Sequence, residues 1–381
     1  MTSKQILQKT GLVDLTAWVG VGPKQGQSPV ELQAPAGQGS AVEKDSTQAW
    51  RQARLQSTFS VYPALVSSVA FSGDGQALIC GHSVWGRQPS TTIKVWHRPT
   101  QALLHSFLHD SVSALAVGAI AKHQTKHQPT APASQTTETT ENVSVLVSSS
   151  ADDGAVRVWN FKTKALLHTL RDHTAGVKAV AIAPHGQTIA SGSYDNSVKL
   201  WHATTGKLER TLCGHTDTVS GVAFDPQSQV LASSSHDQTI KLWDAQSGEL
   251  LSTLVGHTNQ VTALAFSPDG AILASTSEDA TIRLWKLSKD ETPIVLSGHV
   301  GGVLAIAFSP DGQTLASGGT DGKVKLWCVK TGQLIRTLGQ GWSQWLPSLT
   351  KSVSAVSFSL DGSSLASGQM DGTVKLWCCA R

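Results

Sequence analysis

Cysteine is scarce in this sequence and shows no pattern that would give it a structural or metal-binding role. The 381 residues hold five cysteines, and two of them, Cys378 and Cys379, are adjacent. An odd number without metal-ligand spacing argues against a disulfide framework or a zinc site and favours a reducing compartment. We therefore expect free thiols, no metal or other cofactor, and a cytoplasmic protein.

Long apolar runs are also absent. Nothing approaches the roughly 18 consecutive apolar residues of a membrane span. The most apolar run near the N-terminus, residues 11–22, is interrupted by Asp14 and is followed by no small-residue cleavage site. We expect neither a membrane-spanning helix nor a signal peptide.

Charge is nearly balanced, with 30 basic and 27 acidic residues, a net charge of +3 and no basic block. Nucleic-acid binders usually carry a basic patch, and phosphate-binding loops carry a GxxxxGK[ST] pattern that this chain lacks. We therefore expect no direct contact with nucleic acid. An adaptor role beside a nucleic acid or ribonucleoprotein remains an alternative, and a salt-dependent interaction with RNA would support it.

The chain does contain an internal repeat of 42 residues. A His, a Ser, an Asp and a Trp recur at fixed offsets, with 28 residues from His to Trp. The four complete sets are His173, Ser191, Asp195 and Trp201; His215, Ser233, Asp237 and Trp243; His257, Ser275, Asp279 and Trp285; and His299, Ser317, Asp321 and Trp327.

Each repeat predicts four short antiparallel strands. Apolar and polar residues alternate over four to six positions, as in Val219 to Phe224, which is typical of strands. Tight turns containing Gly, such as Ser267 to Gly270, separate the first two strands of most units. The runs are too short for helices.

A Trp ends the last strand of a unit at seven positions: Trp96, Trp159, Trp201, Trp243, Trp285, Trp327 and Trp377. A four-stranded sheet cannot bury both faces alone, so neighbouring sheets must stack, and radial closure leaves few open edges. In its spacing, its Gly-His pairs and its terminal Trp, the chain resembles the WD-repeat β-propeller family. The resemblance implies an all-β, seven-bladed propeller of four-stranded antiparallel blades over residues 51–381.

The two ends of the chain predict how the ring closes. The chain stops just after Trp377, which leaves the seventh sheet one strand short, and Arg54 to Phe59 forms a spare strand. We expect this N-terminal strand to complete the last blade of a monomeric propeller. Residues 1–50 are rich in Gln, Gly, Pro, Ser and Ala and are predicted to be a disordered tail, with one short amphipathic helix possible over residues 6–18.

Three sequential units depart from the repeat. The unit ending at Trp159 has an insertion at about 118–142, predicted to be a mobile loop. It retains Ser149 and Asp153 but has Asp110 near the His position. We expect the sector formed by these three units to be the less stable and more adaptable side of the ring.

The other two departures are larger. The unit ending at Trp377 retains Ser367 and Asp371, and has Trp342 and Trp345 where Gly-His would stand. The unit ending at Trp96 retains only its Trp. Irregular loops on a rigid scaffold are where binding residues tend to collect.

Ser, His and Asp are also the residue types of a hydrolase triad. An active site needs one nucleophile, whereas four equivalent sets recur here, each with its own Trp. The family resemblance implies a structural network instead, with His bonded to Asp, Ser bonded to His, and the indole N–H donating to Ser. We predict a protein that is not an enzyme, with cryptic hydrolase activity as the disfavoured alternative.

By resemblance, the narrow face of such a ring binds partners, and it is formed by the residue before each network Asp and by the residues after each Gly-His. These residues are mixed in charge and include Tyr, His and Met, a composition compatible with a protein or peptide surface. We predict a scaffold for protein–protein interaction. The candidate partner-binding residues are Asp152, Tyr194, Asp217, His236, Asn259, Glu278, Thr320 and Met370, together with Trp342 and Trp345 of the insertion.

Overall fold

The computed structural model describes residues 46–61, 64–83, 91–109, 111–125, 138–288, 292–339 and 351–379. Within these ranges the chain forms one α-helix, α1 (Ser46–Arg51), and 28 strands. The strands form seven four-stranded sheets, in which all neighbouring strands are antiparallel. The all-β class and the seven blades predicted from the repeat are confirmed.

Strand β1 (Arg54–Ser60) comes first, and the remaining strands follow the chain four at a time, each group forming one blade. Blade 1 contains β2 (Leu65–Phe71), β3 (Ala77–Ser83), β4 (Thr91–His97) and β5 (Leu103–Leu108). Blade 2 contains β6 (Ala114–Thr125), β7 (Glu138–Ser149), β8 (Val156–Asn160) and β9 (Leu166–Leu170). Blade 3 contains β10 (Val177–Ile182), β11 (Thr188–Ser193), β12 (Ser197–His202) and β13 (Leu208–Cys213).

The second half of the ring repeats the same order. Blade 4 contains β14 (Val219–Phe224), β15 (Val230–Ser235), β16 (Thr239–Asp244) and β17 (Leu250–Val255). Blade 5 contains β18 (Val261–Phe266), β19 (Ile272–Ser277), β20 (Thr281–Lys286) and β21 (Ile294–Ser297). Blade 6 contains β22 (Val303–Phe308), β23 (Thr314–Gly319), β24 (Val324–Cys328) and β25 (Leu334–Leu338). Blade 7 contains β26 (Val353–Phe358), β27 (Ser364–Gln369) and β28 (Thr373–Cys378).

The ring is closed by pairing between its two ends. The first strands of successive blades are neighbours, and β26 of blade 7 lies beside β2 of blade 1. Strand β1 pairs antiparallel with β28, with Arg54 opposite Cys378 and Ser60 opposite Thr373. The prediction that an N-terminal strand completes the last blade is confirmed.

The hydrophobic core lies between adjacent blades. Leu200 on the third strand of blade 3 packs in one cluster with Leu231 and Trp243 of blade 4, and each of these side chains is at most 2% exposed. Equivalent clusters fill the other junctions. Because burying one such side chain stabilises a fold by about 1.5–3 kcal/mol, the stacked blades supply the burial that a single sheet lacks.

Residues 46–50, which the sequence analysis placed in the disordered tail, belong to helix α1. Trp50 is 1% exposed, and its ring meets Phe358 edge to face at a centroid distance of 5.3 Å. It joins a core cluster with Leu326 and Leu338 of blade 6 and Trp377 of blade 7. The tail prediction is therefore wrong for this segment. It was based on the polar composition of residues 1–50 as a whole, which did not reveal that Trp50 packs into the core. The amphipathic helix predicted over residues 6–18 lies outside the described residues.

The insertion in blade 2 extends a β-hairpin. Strands β6 and β7 pair without interruption from Ala114 opposite Ser149 to Thr125 opposite Glu138. The mobile-loop prediction is wrong for residues 118–125 and 138–142, while residues 126–137 lie outside the described chain. Thr and Ile suit a paired strand, and both prolines of the insertion fall beyond the paired part, so its polar composition did not imply a loop.

All five cysteines have free thiols: Cys80, Cys213, Cys328, Cys378 and Cys379. Over the described ranges, the only helix is far too short to cross a membrane. The same part of the chain holds no group of three or more His, Cys, Asp or Glu side chains suited to a metal ion.

Candidate functional site

The structure brings each of the four repeated sets together inside one blade. In blade 4, the Nδ1 atom of His215 lies 2.8 Å from Oδ2 of Asp237, and Nε2 lies 2.8 Å from Oγ of Ser233. The indole N–H of Trp243 donates to the same Oγ at 2.8 Å. In blades 3, 5 and 6 the corresponding distances lie between 2.7 and 3.0 Å.

The donors in this network follow from what each group can do. A carboxylate only accepts, so Nδ1 of His215 carries the proton that is donated to Asp237, and the Ser233 hydroxyl donates to Nε2. Burial lowers the pKa of His215, although Asp237 opposes that change, so the imidazole is neutral at pH 7. The serine is fully buried. Because a nucleophile must be reached by its substrate, this arrangement suits a structural brace and not a hydrolase.

Blade 2 builds its network from different residues. Trp159 donates to Ser148 at 2.9 Å, and not to the Ser149 that the sequence analysis assigned. The spacing from serine to tryptophan is one residue longer in blade 2 than in blade 3, so Ser148 takes the position opposite the third strand that Ser191 takes there. The sequence prediction followed a constant offset from Trp, which this extra residue breaks.

An arginine enters the blade 2 network. Buried His109 stands near the position for which Asp110 was named, and Asp110 itself lies outside the described residues. Nη1 of Arg157 lies 3.3 Å from Nε2 of His109, and Nη2 lies 2.5 Å from Oδ2 of Asp153. Burial opposes ionisation of Asp153, but Arg157 more than offsets it and the pKa of that carboxyl falls to about 2.

Blades 7 and 1 lack the complete network. In blade 7, Trp377 donates to Ser367 at 2.9 Å, and Asp371 accepts from Oγ1 of Thr373 at 2.6 Å. In blade 1, Cys80 stands opposite Lys94, where the other blades have serine, and burial raises the pKa of its thiol. No hydrogen bond from Trp96 to this thiol is found.

The narrow face is the end of the ring formed by the loops before each first strand and by the loops between second and third strands. The eight described candidates lie on these loops. Five are exposed and three are half-buried: Asp152, Tyr194, Asp217, Asn259 and Glu278 are exposed, and His236, Thr320 and Met370 are half-buried. Trp342 and Trp345 lie outside the described residues.

The structure brings two of these candidates together around a lysine that the sequence analysis missed. Nζ of Lys178, on β10, lies 3.1 Å from Nε2 of His236 and 5.7 Å from the centroid of the Tyr194 ring. The carboxylates of Glu278 and Asp217 act on the same ammonium group through their charges. Three adjacent blades, 3, 4 and 5, therefore contribute to one polar cluster, named here the Lys178 cluster.

Lys178 stands where four other blades carry a hydroxyl. In each of those blades a Ser or Thr at the start of the first strand, or just before it, donates from its side-chain hydroxyl to a backbone carbonyl at the start of the next blade's first strand. The pairs are Ser113 with Val177, Ser220 with Val261, Thr262 with Val303, and Ser354 with Val66. A comparison of repeats at this position would have found the lysine.

The charge state of the Lys178 cluster follows from its surroundings. Burial lowers the pKa of half-buried Lys178, whereas Glu278 and Asp217 favour its charged form. Burial and the adjacent Lys178 lower the pKa of His236, so the imidazole is neutral and its Nε2 accepts from the ammonium. An ammonium has three donors, and in the described part of the chain His236 is its one hydrogen-bond acceptor. Lys178 can therefore donate to an incoming group.

The neighbouring loop of blade 6 adds an apolar edge. Val300 is 68% exposed, in the position where blades 3, 4 and 5 carry Thr after the network His. A Cβ at Gly302 would lie 2.4 Å from Oε2 of Glu278, so only glycine lets that carboxylate lie against the loop. The narrow face thus combines an exposed valine and tyrosine with carboxylates and the Lys178 ammonium.

Two protein-family models match the sequence. The model described as the fourth β-propeller of WDR90 matches residues 218–343, and the model of the WD domain, G-beta repeat, matches residues 164–202 and 343–378. No curated protein matches it. Propellers of this kind generally bind proteins and are generally not enzymes. With seven closed blades and four complete His-Ser-Asp-Trp networks, the chain belongs to the WD-repeat β-propeller family.

Proposed function

We propose that this protein is a non-enzymatic platform that binds another protein or a peptide through its narrow face, with the Lys178 cluster at the centre of the contact. The observation that carries the proposal is the break in the repeat at Lys178. The lysine gives up the hydrogen bond between blades that Ser or Thr makes in blades 2, 4, 5 and 7, and it half-buries an ammonium. Such a change costs stability, and local rules are broken in this way mainly at functional sites.

The composition of the face supports this role. Tyr194 is 46% exposed and offers a large apolar surface with a hydroxyl, the type of side chain that often anchors an interface. Val300 adds apolar area, while Lys178 and His236 add polar groups that fix orientation. Asp152, Asp217 and Glu278 place carboxylates on the same face, which disfavours the phosphate backbone of a nucleic acid.

Catalysis is less well supported. The network serines are fully buried, so a substrate could not reach them as nucleophiles. The free thiols fit a reducing compartment, so we place this activity in the cytoplasm, with a monomeric propeller as the active form.

The direct test is affinity purification with the intact protein and two matched triple variants. One variant carries Tyr194→Ala, His236→Ala and Glu278→Ala on the narrow face. The control carries Gln313→Ala, Lys330→Ala and Gln333→Ala, which change exposed residues at the opposite end of blade 6. We expect the control to retain the partners of the intact protein and the narrow-face variant to lose them. If both variants capture the same proteins, the narrow face is not the binding surface.

A single substitution separates binding from folding. Lys178→Ser restores the residue type of the repeat and with it the hydrogen bond to the next blade. We expect this variant to be at least as stable as the intact protein in urea unfolding and to bind the partner at least about tenfold more weakly, the order of one lost charged hydrogen bond. A variant that is less stable and binds normally would assign Lys178 a structural role.

A further inference from the structure

A cleft of about 780 Å³ opens at the other end of the ring, between blades 3 and 4. This end, the wide face, is formed by the turns between first and second strands and between third and fourth strands. The cleft is lined by the turns that follow β10, β14 and β16 and by the outer strand β13. Its volume falls within the usual range of ligand sites. Lys178 lies near the start of β10 and the cleft residue His185 lies beyond its end, so the cleft and the Lys178 cluster are separate sites.

The two blades that flank the cleft depart from the turn used elsewhere. In four blades the turn after the first strand carries an aspartate whose Oδ1 accepts from a serine of the same turn; these are Asp74, Asp269, Asp311 and Asp361. His185 in blade 3 and Gln227 in blade 4 replace that aspartate. An imidazole and an amide thus stand in the two walls of the cleft where other blades have a carboxylate.

The turns keep their internal hydrogen bonds by other means. Nδ1 of His185 accepts from the backbone N–H of Gln187 at 3.0 Å. In blade 4, Oδ1 of Asp225 accepts from the N–H groups of Gln229 at 2.6 Å and Val230 at 2.7 Å. Folding is therefore served equally well by either turn. What differs is the chemistry presented to the cleft.

Four glutamines dominate the lining, and each side-chain amide offers two donors and one acceptor: Gln187, Gln227, Gln229 and Gln246. The charged groups largely offset one another or are already engaged. Glu209 adjoins Arg210, whose Nε donates to the carbonyl of Gln246 at 2.8 Å, and Oδ1 of Asp244 accepts two backbone N–H groups. The one apolar lining side chain that the described residues supply is Ala245.

This chemistry selects among ligand classes. A phosphate-rich ligand would need more than one arginine beside a glutamate, and a lipid or an apolar anchor would need an apolar pocket. A peptide main chain presents alternating N–H and C=O groups, and each group that leaves water needs a new partner. Side-chain amides supply both kinds of partner.

We propose that this cleft is a second binding site, and that it takes the main chain of a short, polar, extended segment of a partner protein. The glutamines replace the water that the segment's N–H and C=O groups lose, while the segment's side chains make few contacts. Binding here does not depend on the narrow face. The ring can therefore hold two segments at once, one at each end.

The experiment selects displayed random peptides on the Tyr194→Ala, His236→Ala, Glu278→Ala variant, so that ligands of the narrow face drop out. We expect the enriched peptides to bind the intact protein and a Gln313→Ala control equally. Gln313 holds the same turn position in blade 6, outside the cleft. Affinity for Gln187→Ala, Gln229→Ala should fall about tenfold or more. If no peptide is enriched, or if enriched peptides bind this double variant as tightly as the intact protein, the proposal is wrong.

Two further measurements test the ligand class. Methylating the main-chain nitrogens of an enriched peptide should abolish binding, and unchanged affinity would overturn main-chain recognition. A neutral oligosaccharide, maltotriose, shares hydroxyl donors and acceptors but lacks the amide spacing, so we expect it not to bind. Binding of maltotriose that is lost in Gln187→Ala, Gln229→Ala would assign the cleft to a saccharide instead. None of these results depends on whether the narrow face binds a partner.

Discussion

Two sectors of the ring differ in how much hydrogen bonding holds their blades together. Blades 3 to 6 form the regular sector, and blades 7, 1 and 2 form the irregular sector. Blades 3 to 6 each contain the complete network. Blade 2 keeps the bond from Trp to Ser and places Arg157 between His109 and Asp153, blade 7 keeps the bond from Trp to Ser, and blade 1 has Cys80 in place of Ser. The Trp–Ser bond ties the third strand to the second within a sheet. The His–Asp bond ties the entry loop to the loop between the second and third strands. Over the described residues, the bond from Trp to Ser is therefore kept in six of the seven blades, and the bond from His to Asp in four.

The irregular sector of blades 7, 1 and 2 is stabilised by contacts of its own. Arg98 of blade 1 reaches across to blade 7, where it lies 3.1 Å from Oγ of Ser363 and 3.4 Å from Oδ2 of Asp361. Trp50 fills the junction of blades 6 and 7. The regular sector is thus held by a repeated internal network, and the irregular sector by contacts specific to the place where the ring closes. Each prediction below tests the contacts that stabilise one or both of these sectors.

The largest effect is expected from deleting residues 1–60. The deletion removes β1, which leaves blade 7 with three strands and uncovers a core that includes Trp96 and Leu376. We expect the cooperative unfolding transition to disappear in calorimetry. Deletion of residues 1–45, which ends before α1, is the control and should retain the transition. An unchanged transition in the longer deletion would show that strand pairing does not hold the ring closed.

The next largest effect is expected from Trp50→Ala. Removing a fully buried tryptophan leaves a cavity between blades 6 and 7, and such changes typically cost about 3–5 kcal/mol of unfolding free energy. Urea unfolding measures the loss, and Trp50→Phe, which retains an aromatic ring, should lose less. A loss of less than about 1 kcal/mol, the size of an average substitution, would mean that the helix is not an anchor.

A third prediction compares equivalent aspartates in the two sectors. Asp237→Ala leaves buried His215 without its acceptor and should cost about 1–3 kcal/mol. Asp371→Ala in blade 7 loses a bond to Thr373 but leaves no network histidine unpaired, so its cost should be smaller. Partner affinity at the wide face should be unaffected by Asp237→Ala. Equal losses of stability would mean that the histidine adds nothing to the brace.

The smallest expected effect is a dependence on pH to which the network histidines of blades 3 to 5 contribute. Burial lowers the pKa of His173, His215 and His257, so the unfolded chain binds protons near pH 6.5 before the folded chain does. Stability present above that pH is therefore lost as the pH falls from 7 towards 5, by about 1 kcal/mol. Melting curves across this interval measure it. His215→Gln should reduce the slope, and a slope that the substitution leaves intact would locate the titration elsewhere.

The repeat made most of the fold predictable from sequence. A period of 42 residues, a terminal Trp and a spare strand at Arg54 define blades, strand order and closure without any knowledge of contacts. The four networks were predictable as sets of residues, because their members keep constant spacing. In blade 2, where the spacing from serine to tryptophan is one residue longer, constant spacing named Ser149 and the folded register chose Ser148.

The features that sequence missed depend on neighbours far away in the chain. Lys178 is notable only because the same position in other blades donates to the next blade's carbonyl. Trp50 lies in a polar segment, and its importance comes from a gap beside Phe358. The chemistry of the cleft depends on two unusual turns that become adjacent in the ring. A periodic pattern identifies residues that every repeat has in common. Lys178, Trp50 and the turns of the cleft matter because they differ from the other repeats.

The pairing of β1 with β28 also determines when the ring can close during folding. Strand β1 leaves the ribosome long before β28. Its backbone therefore has no β28 to pair with while blades 1 to 6 are synthesised. Pairing of two strands separated by nearly the whole chain is slow. The conformational entropy of the intervening chain is lost before the strand contact contributes any free energy. Until then the nascent chain exposes an open edge at each end, where it is most vulnerable to pairing with a second copy. The pairing of β1 with β28 is therefore also the step that protects the molecule from aggregation through these edges.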